Sequence, residues 1–508
     1  MSILRAASWL SVLAAVAAVA AFAREVVQAG TFGGGAAVDA YLVALALPFL
    51  IGTSVVSTLE AAFIPIYLSS RHEGDRRSAE FARATHGWLL VGAVGLAILF
   101  VLAVPVLVPW QAPGFPPDQL ALAAELAYWI APSIVFTTLY GFGRSVLNAE
   151  QRFTWPALAP AFGAVTMIVV MTAGYRALGI MAVAAGYTAA SAATWLTVYI
   201  PVLLGRFPAG ASMDWKNADA RSLARSAGLL LCGVMAMSAV PVVDRLMASR
   251  FPAGVISSLA YADRVVQIPM TLVATAVVTA VFPVLSACAA ARNLERLRAT
   301  LGVSVRLLAS LLVPIAILLV VSSVDVVRLA FERGAFHAEQ AEMTAVALRG
   351  LALGLVFTGV LQVLPRAFNA MQLAFWVALS GVLNLAFKIV FNWMLVPMLG
   401  YAGFAIATSA MYAATGLVMA GVLRSYLGGL DFRATWPALM SILAAGVVMG
   451  VVATFVSRAL PDALPSVRVM AAAATSSGAY LGVLSLLSGR PGHVPAWLRM
   501  TEGGHGRS

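Results

Sequence analysis

Fourteen apolar runs follow one another along nearly the whole chain, near residues 6–28, 38–69, 85–109, 120–147, 155–175, 178–204, 223–248, 255–289, 300–322, 340–370, 374–397, 401–425, 435–458 and 466–488. A hydrocarbon layer roughly 30 Å thick takes about 20 apolar helical residues to cross. Such a chain has one fold class open to it, an all-α polytopic membrane protein. Of its 508 residues, 61% are hydrophobic and only 10% are charged, too few charges to clothe a soluble fold. A β-barrel would show short alternating segments, and none are evident.

The polar interruptions orient the runs. With the N-terminus placed in the cytoplasm, "SRHEGDRR" (70–77), "NAEQRF" (148–153), 205–225, "ARNLERLR" (291–298) and 490–499 all fall on the cytoplasmic side. The opposite loops, such as "QAPGFPPDQ" (111–119) and "LGYAG" (399–403), are poor in arginine, so the bias predicts that both termini are cytoplasmic. The net charge of +11 resides largely in these short loops and reports membrane orientation, not a nucleic-acid partner. Lys216 and Lys388 are the only lysines. Residues 1–23 also imitate a signal peptide ending in "AFA". Removing them would leave an odd number of spans and reverse the next loop's charge bias, so they are read as the first span. Cys232 and Cys288 sit in apolar stretches without metal-ligand spacing and are read as small buried residues. The loops leave no room for a soluble catalytic domain. No Gly-rich phosphate loop with Lys-Ser or Lys-Thr is present, so neither ATP hydrolysis nor a cofactor is expected.

A weak internal repeat organises the charges. "AYLVALALP" (40–48) is followed by Pro65, and "AYADRVVQIP" (260–269) by Pro283. Each copy follows an arginine-bearing segment, "AREVV" (23–27) and "VVDRLMASR" (242–250). Repeated bundles with a substrate path between them are the architecture of secondary transporters. Arg24 and Glu25 lie near the outer end of the first run and Asp39 opens the second. Asp244 and Arg245 close the seventh, and Asp263 and Arg264 lie about two turns into the eighth.

A charge near the middle of a span costs roughly 2.5–3.5 kcal/mol on insertion scales, so each needs a partner, a water-filled cavity or an interface. Arg24, Asp39, Asp244 and Arg245 taken singly also fit as snorkelling interfacial residues. Asp263 and Arg264 fit that reading less well, because the apolar run continues beyond them. Neighbours on a helix point about 100° apart, so these two are expected to seek partners elsewhere, and the charges of the first repeat are the candidates. They are expected to converge in the outward half of the space between the repeats.

Arginine's planar fork suits phosphate oxygens. Arg24 and Arg264 are therefore expected to hold a diphosphate head group, with Glu25, Asp39 and Asp263 positioning the forks when the site is empty. Asp244, Arg245 and Glu60 are supporting candidates; Glu60 reads equally as a buried hydrogen-bonding group.

Several stretches carry a resemblance. "AREVVQAGTFGGGAAVDAYLVALALP" (23–48), "LNAEQRFTWPALAP" (147–160), "VDRLMASRFPAGVISSLAYADRVVQIP" (243–269) and "FERGAFHAEQAEMTAVALRGLALGLVF" (331–357) resemble, in order and spacing, the MurJ (MviN) family of lipid II flippases. That family lies within the superfamily of multidrug, oligosaccharidyl-lipid and polysaccharide exporters. The resemblance covers most of the first twelve spans. It implies two six-helix lobes, 1–205 and 206–430, two further helices within 431–490 and a cytoplasmic tail, 491–508. It also implies a bacterial inner-membrane protein of cell-wall biogenesis. Such a protein moves a polyprenyl-diphosphate-linked saccharide by alternating access, driven by membrane potential or a coupling ion.

Matched by residue, the family's essential Arg-Asp pair falls on Arg24 and Glu25, its acid opening the second helix on Asp39, and its eighth-helix arginine on Arg264. Two departures stand out. Family arginines earlier in the first helix and after the proline of the second are replaced here by alanines around Ala18 and by Gly52 and Thr53. A cavity with less positive charge leaves open another lipid-linked saccharide destined for exopolysaccharide, or a non-transporting scaffold. A cation-coupled drug antiporter would line its cavity with acids and aromatics. A glycosyltransferase or polymerase would need a large outer loop.

Overall fold

The computed structural model describes residues 3–205, 210–429 and 432–487. The expected tail at 491–508 and the arginines of 490–499 lie outside them, as does the side chain of Cys232. Every expected run has a helical counterpart. These are α1 (Ile3–Phe32), α2 (Ala36–Glu73), α3 (Asp75–Gln111), α4 (Pro117–Ile130), α5 (Ser133–Ala149), α6 (Thr154–Leu178), α7 (Met181–Leu204), α8 (Ala218–Ser238), α9 (Val240–Ala248) and α10 (Val255–Pro269). There follow α11 (Thr275–Ala290), α12 (Leu294–Val321), α13 (Ser323–Phe331), α14 (Ala338–Leu353), α15 (Leu355–Ala370), α16 (Ala374–Leu399), α17 (Ala402–Leu427), α18 (Phe432–Ala459) and α19 (Pro465–Leu487).

Among the described residues twelve segments are long and apolar enough to cross a membrane, or thirteen with the pair α14 and α15, bent by 47°. Two of the twelve, Pro117–Ala149 and Val255–Ala290, join shorter helices. Helices α8 and α9, broken at Ala239, occupy the seventh expected run, which makes the set consistent with the fourteen read from the sequence. Proline explains one irregularity. Pro269 has no N–H to donate, and a π-helical turn, Met270–Ala274, joins α10 to α11 just beyond it.

The chain forms two compact units, 1–257 with 333–340, and 258–332 with 341–508. Division by sequence likeness and division by packing differ here, because α8 and α9 rest on α2 and α3 within the first unit. That unit's core is aromatic: Phe63 stacks on Phe81 at 5.1 Å and meets Phe142 edge-on at 5.7 Å. Helix α2 is 38 residues long, about 57 Å at 1.5 Å per residue, so it outruns the hydrocarbon layer. At its C-terminal end Asp219, in the first turn of α8, takes a two-pronged bond from Arg77 (2.9 and 3.0 Å) and another from Ser70 (3.1 Å). Arg71 pairs with Glu150, whose carboxylate also accepts from Tyr67.

Residues 333–340 return to the first unit. The Ala335 amide donates to the Gly30 carbonyl at 2.8 Å. Gly33 (φ +72°) and Gly334 (φ +59°) take left-handed conformations there, which glycine adopts without strain. A Cβ on Gly33 would lie 2.5 Å from the Ala335 oxygen.

In the second unit α18 and α19 dock on α12 through Val313, Ile442, Met449 and Leu484. Tyr480 donates to the Ser310 carbonyl (3.0 Å), and Arg468 pairs with Asp325 (2.5 Å). Lys388 is fully buried, its ammonium donating to the Phe404 carbonyl at 2.9 Å and to Thr408 Oγ1 at 2.5 Å. Cys288 is buried, as the sequence suggested.

Candidate functional site

Arg24 and Glu25 sit on α1 within one apolar span. Arg24 Nη2 lies 2.5 Å from Glu25 Oε1. The rule that helix neighbours point too far apart to meet, applied above to Asp263 and Arg264, therefore fails for this pair, since the long arginine stem bends back across the interval. Glu25 is 7% exposed. Arg24 keeps 22% of its side chain exposed, while its Nε–H is buried without an acceptor among the described residues. Tyr41 and Tyr187 are close enough to interact electrostatically with it. The result is a guanidinium tied at Nη2 to Glu25, with its Nε–H unfilled among the described residues.

Asp39 behaves differently from the expectation that it would hold an arginine fork. It is 2% exposed, and its two oxygens accept the backbone amides of Gly254 (2.6 Å) and Ser257 (2.7 Å), which lie 215 and 218 residues away in sequence. These amides belong to the start of α10, where the first N–H groups have no partner within the helix and the helix dipole favours negative charge. Asp39 is thus a cap supplied from a distant helix, and its correction is physical: a buried carboxylate takes the donors nearest to it.

Glu60 has found a partner the sequence reading did not single out. Arg144 on α5 places Nε 2.6 Å from Glu60 Oε1, and Asn148 Nδ2 donates to the same oxygen at 3.0 Å. Arg144 Nη1 also donates to Tyr140 Oη at 3.3 Å. Tyr140, Arg144 and Asn148 fall at i, i+4 and i+8, one polar stripe on a mostly buried helix, and that spacing was the available signal. Gly52, where the resemblance described above implies an arginine, is buried, and a Cβ there would lie 2.7 Å from Thr137 Cγ2 on α5.

Asp244 and Arg245 lie half-buried on α9 in the first unit. Asp263 and Arg264 lie on α10 in the second unit, both exposed. Among the described residues no three His, Cys, Asp or Glu side chains converge as a metal site.

An all-helical bundle with a dozen or more candidate membrane spans, holding an ion pair inside the first of them, defines a polytopic membrane protein. The comparisons with known proteins narrow the class. The sequence model described as "Lipid II flippase MurJ" matches residues 28–469, and the chain belongs to that family. It is 28% identical to a probable lipid II flippase MurJ of Thermotoga maritima over 77% of this chain and 79% of that one. It is 26% identical to the lipid II flippase MurJ of Burkholderia cenocepacia over 79% and 80%. A solved lipid II flippase MurJ in an inward closed conformation superposes with a TM-score of 0.81 at 20% identity, over 94% of this chain and 98% of that one. An inward-facing multidrug resistance MATE family transporter follows with a TM-score of 0.65 at 14% identity, over 82% and 94%, a likeness of fold.

Proposed function

We propose that this chain translocates lipid II across the bacterial inner membrane, exposing the head-group site to one side and then to the other. Arg24 carries the reading. It is a half-buried, permanently charged fork bound on one side by Glu25 and with its Nε–H unfilled, a donor set that suits a diphosphate. Arg264, preceded by Asp263 in the second unit, is assigned the matching grip. Glu25 and Asp263 position the forks, Asp39 fixes the start of α10, and Asp244, Arg245 and Glu60 support the site. Both termini are assigned to the cytoplasm. The six-helix lobes are assigned to 1–205 and 206–430, with two additional helices in 431–490. Transport draws on membrane potential or a coupling ion, and the lipid leaves with its covalent structure unchanged.

The exopolysaccharide and drug-antiport alternatives are not favoured, because family membership extends over residues 28–469. The test is complementation of a strain depleted of its essential lipid II flippase, paired with a flipping assay in reconstituted vesicles. Wild-type protein is expected to restore growth and move lipid II at unchanged mass, whereas Arg24→Lys and Arg264→Ala insert normally and do not. Normal flipping by either variant would remove that residue from the site.

A further inference from the structure

The first unit holds a second arginine whose setting suggests a ligand, Arg144 on α5, beside the contact of α5 with α2. Helices α2 and α5 touch at Gly52 and Thr137, so no long side chain fits at position 52. Seven residues further along α5, roughly 10 Å at 1.5 Å per residue, stands Arg144. Residues 138–143 and 145–147 around it are buried, while Arg144 keeps 35% of its side chain exposed and Asn148 is half-buried. Across from them the open face of α2 carries Thr53, Ser57 and Glu60, none of them fully buried.

A guanidinium facing hydrocarbon would be strongly disfavoured, so the exposed part of Arg144, beside the part-exposed Glu60 and Asn148, is expected to meet water or a polar head group. Glu60 pairs with the guanidinium through Oε1, 2.6 Å from Nε but not aligned as a hydrogen bond, Tyr140 accepts from Nη1, and no bond from Nη2 is seen among the described residues. The fork is thus held in place with its outer end open.

Arg144 cannot share one diphosphate with Arg24. Successive spans alternate in direction, so α1 and α5 end at opposite membrane faces. Arg24 lies eight residues before the end of α1 and Arg144 five before the end of α5, roughly 12 and 8 Å from those helix ends at 1.5 Å per residue. We propose that Arg144, positioned by Glu60, binds a second oxyanion of the lipid-linked head group at the mouth opposite Arg24, either a peptide carboxylate or a phosphate in transit. The proposal rests on the lipid II reading above and names a recognition residue that reading does not contain.

The test compares wild-type protein with Arg144→Gln, Arg144→Lys and Glu60→Gln in reconstituted vesicles. Two substrates are used, lipid II and the same polyprenyl-diphosphate disaccharide without its peptide, and thermal unfolding is read alongside. Arg144→Gln is expected to raise the half-saturating lipid II concentration about ten- to a hundredfold, the range for losing a hydrogen bond to a charged group. Arg144→Lys should fall between, and Glu60→Gln, which keeps the cation, should change it least. A defect confined to lipid II assigns the peptide carboxylate; an equal defect with the peptide-free lipid assigns the phosphate. Unchanged half-saturation in Arg144→Gln would overturn the proposal. So would equal losses in Arg144→Gln and Glu60→Gln that follow a shared drop in melting temperature, the signature of an ion pair that only braces α2 on α5. Wild-type protein that moved neither lipid would overturn the functional reading as well.

Discussion

Replacing Asp39 by Ala removes the acceptor for two amides at the start of α10, those of Gly254 at 2.6 Å and Ser257 at 2.7 Å. A hydrogen bond to a charged group contributes about 1.5–3 kcal/mol, and an N-terminal cap replaced by Ala typically costs about 0.5–2 kcal/mol. Here both amides are left without their acceptor at a site only 2% exposed, so about 3 kcal/mol is expected, with the two bonds sharing one carboxylate and therefore not fully additive. That is roughly a hundredfold in a local opening equilibrium. Hydrogen exchange should report it in a peptide spanning 254–262, where Asp39→Ala loses about two orders of magnitude of protection. Asp39→Asn keeps one acceptor oxygen and should lose roughly half as much free energy, about 1.5 kcal/mol by the same values. Helices of the second unit such as α16 and α17 should exchange as in wild type. Protection unchanged in Asp39→Ala, accompanied by loss of transport, would refute the cap and return Asp39 to the substrate.

Arg24→Lys should retain the bond to Glu25 and the protein's melting temperature while losing transport. Arg24→Ala, which leaves Glu25 buried without its cation, should also destabilise the protein by about 3–5 kcal/mol, measurable by thermal unfolding in detergent. The hydrogen bonds from Arg77, aided by Ser70, hold the Asp219 carboxyl below its usual range. Its contribution is therefore full above the ordinary carboxylate pKa of about 3.9 and is lost only as pH falls through the lower folded value. Proteolysis of the 210–217 linker should accelerate in that acid window, and Asp219→Asn should remove the pH dependence. Gly33→Ala places a methyl 2.5 Å from the Ala335 oxygen at φ +72°. About 1–3 kcal/mol of strain should appear as faster hydrogen exchange in 333–340, and wild-type exchange there would refute the close approach.

The helices were legible because lipid leaves a chain few choices: a run such as "VVATFVSR" must satisfy its own backbone. The short helix α13, "SVDVVRLAF", was not, since nine residues are too few to register as a span and its place depends on tertiary contacts such as Asp325 with Arg468. Charges in apolar runs were easy to find and their partners hard to name. Asp39 meets amides more than two hundred residues away, and nothing in the local sequence encodes which helix end arrives there. Arg24 with Glu25 was recognisable as an unusual pair, but the geometric rule used for neighbours underestimated the reach of arginine. Arg144 was not legible in the same way, because "YGFGRSVLN" lies outside the repeat that gathers the other charges. Lys388 stood in a span from the start, yet only the approach of Phe404 and Thr408 shows how its charge is accommodated.

The return of residues 333–340 to the first unit has a bearing on how this gene can be divided. A fragment ending at residue 257 would encode the long helices of that unit and the partners of Asp39, but it would lack the octapeptide that supplies a donor to the Gly30 carbonyl. The complementary fragment would carry that octapeptide with no glycine loop to receive it. Split at its midpoint, the protein therefore yields two unequal pieces, one incomplete and one burdened with its neighbour's missing strip. A domain exchange with a relative keeps both sides whole only if 333–340 travels with the N-terminal half.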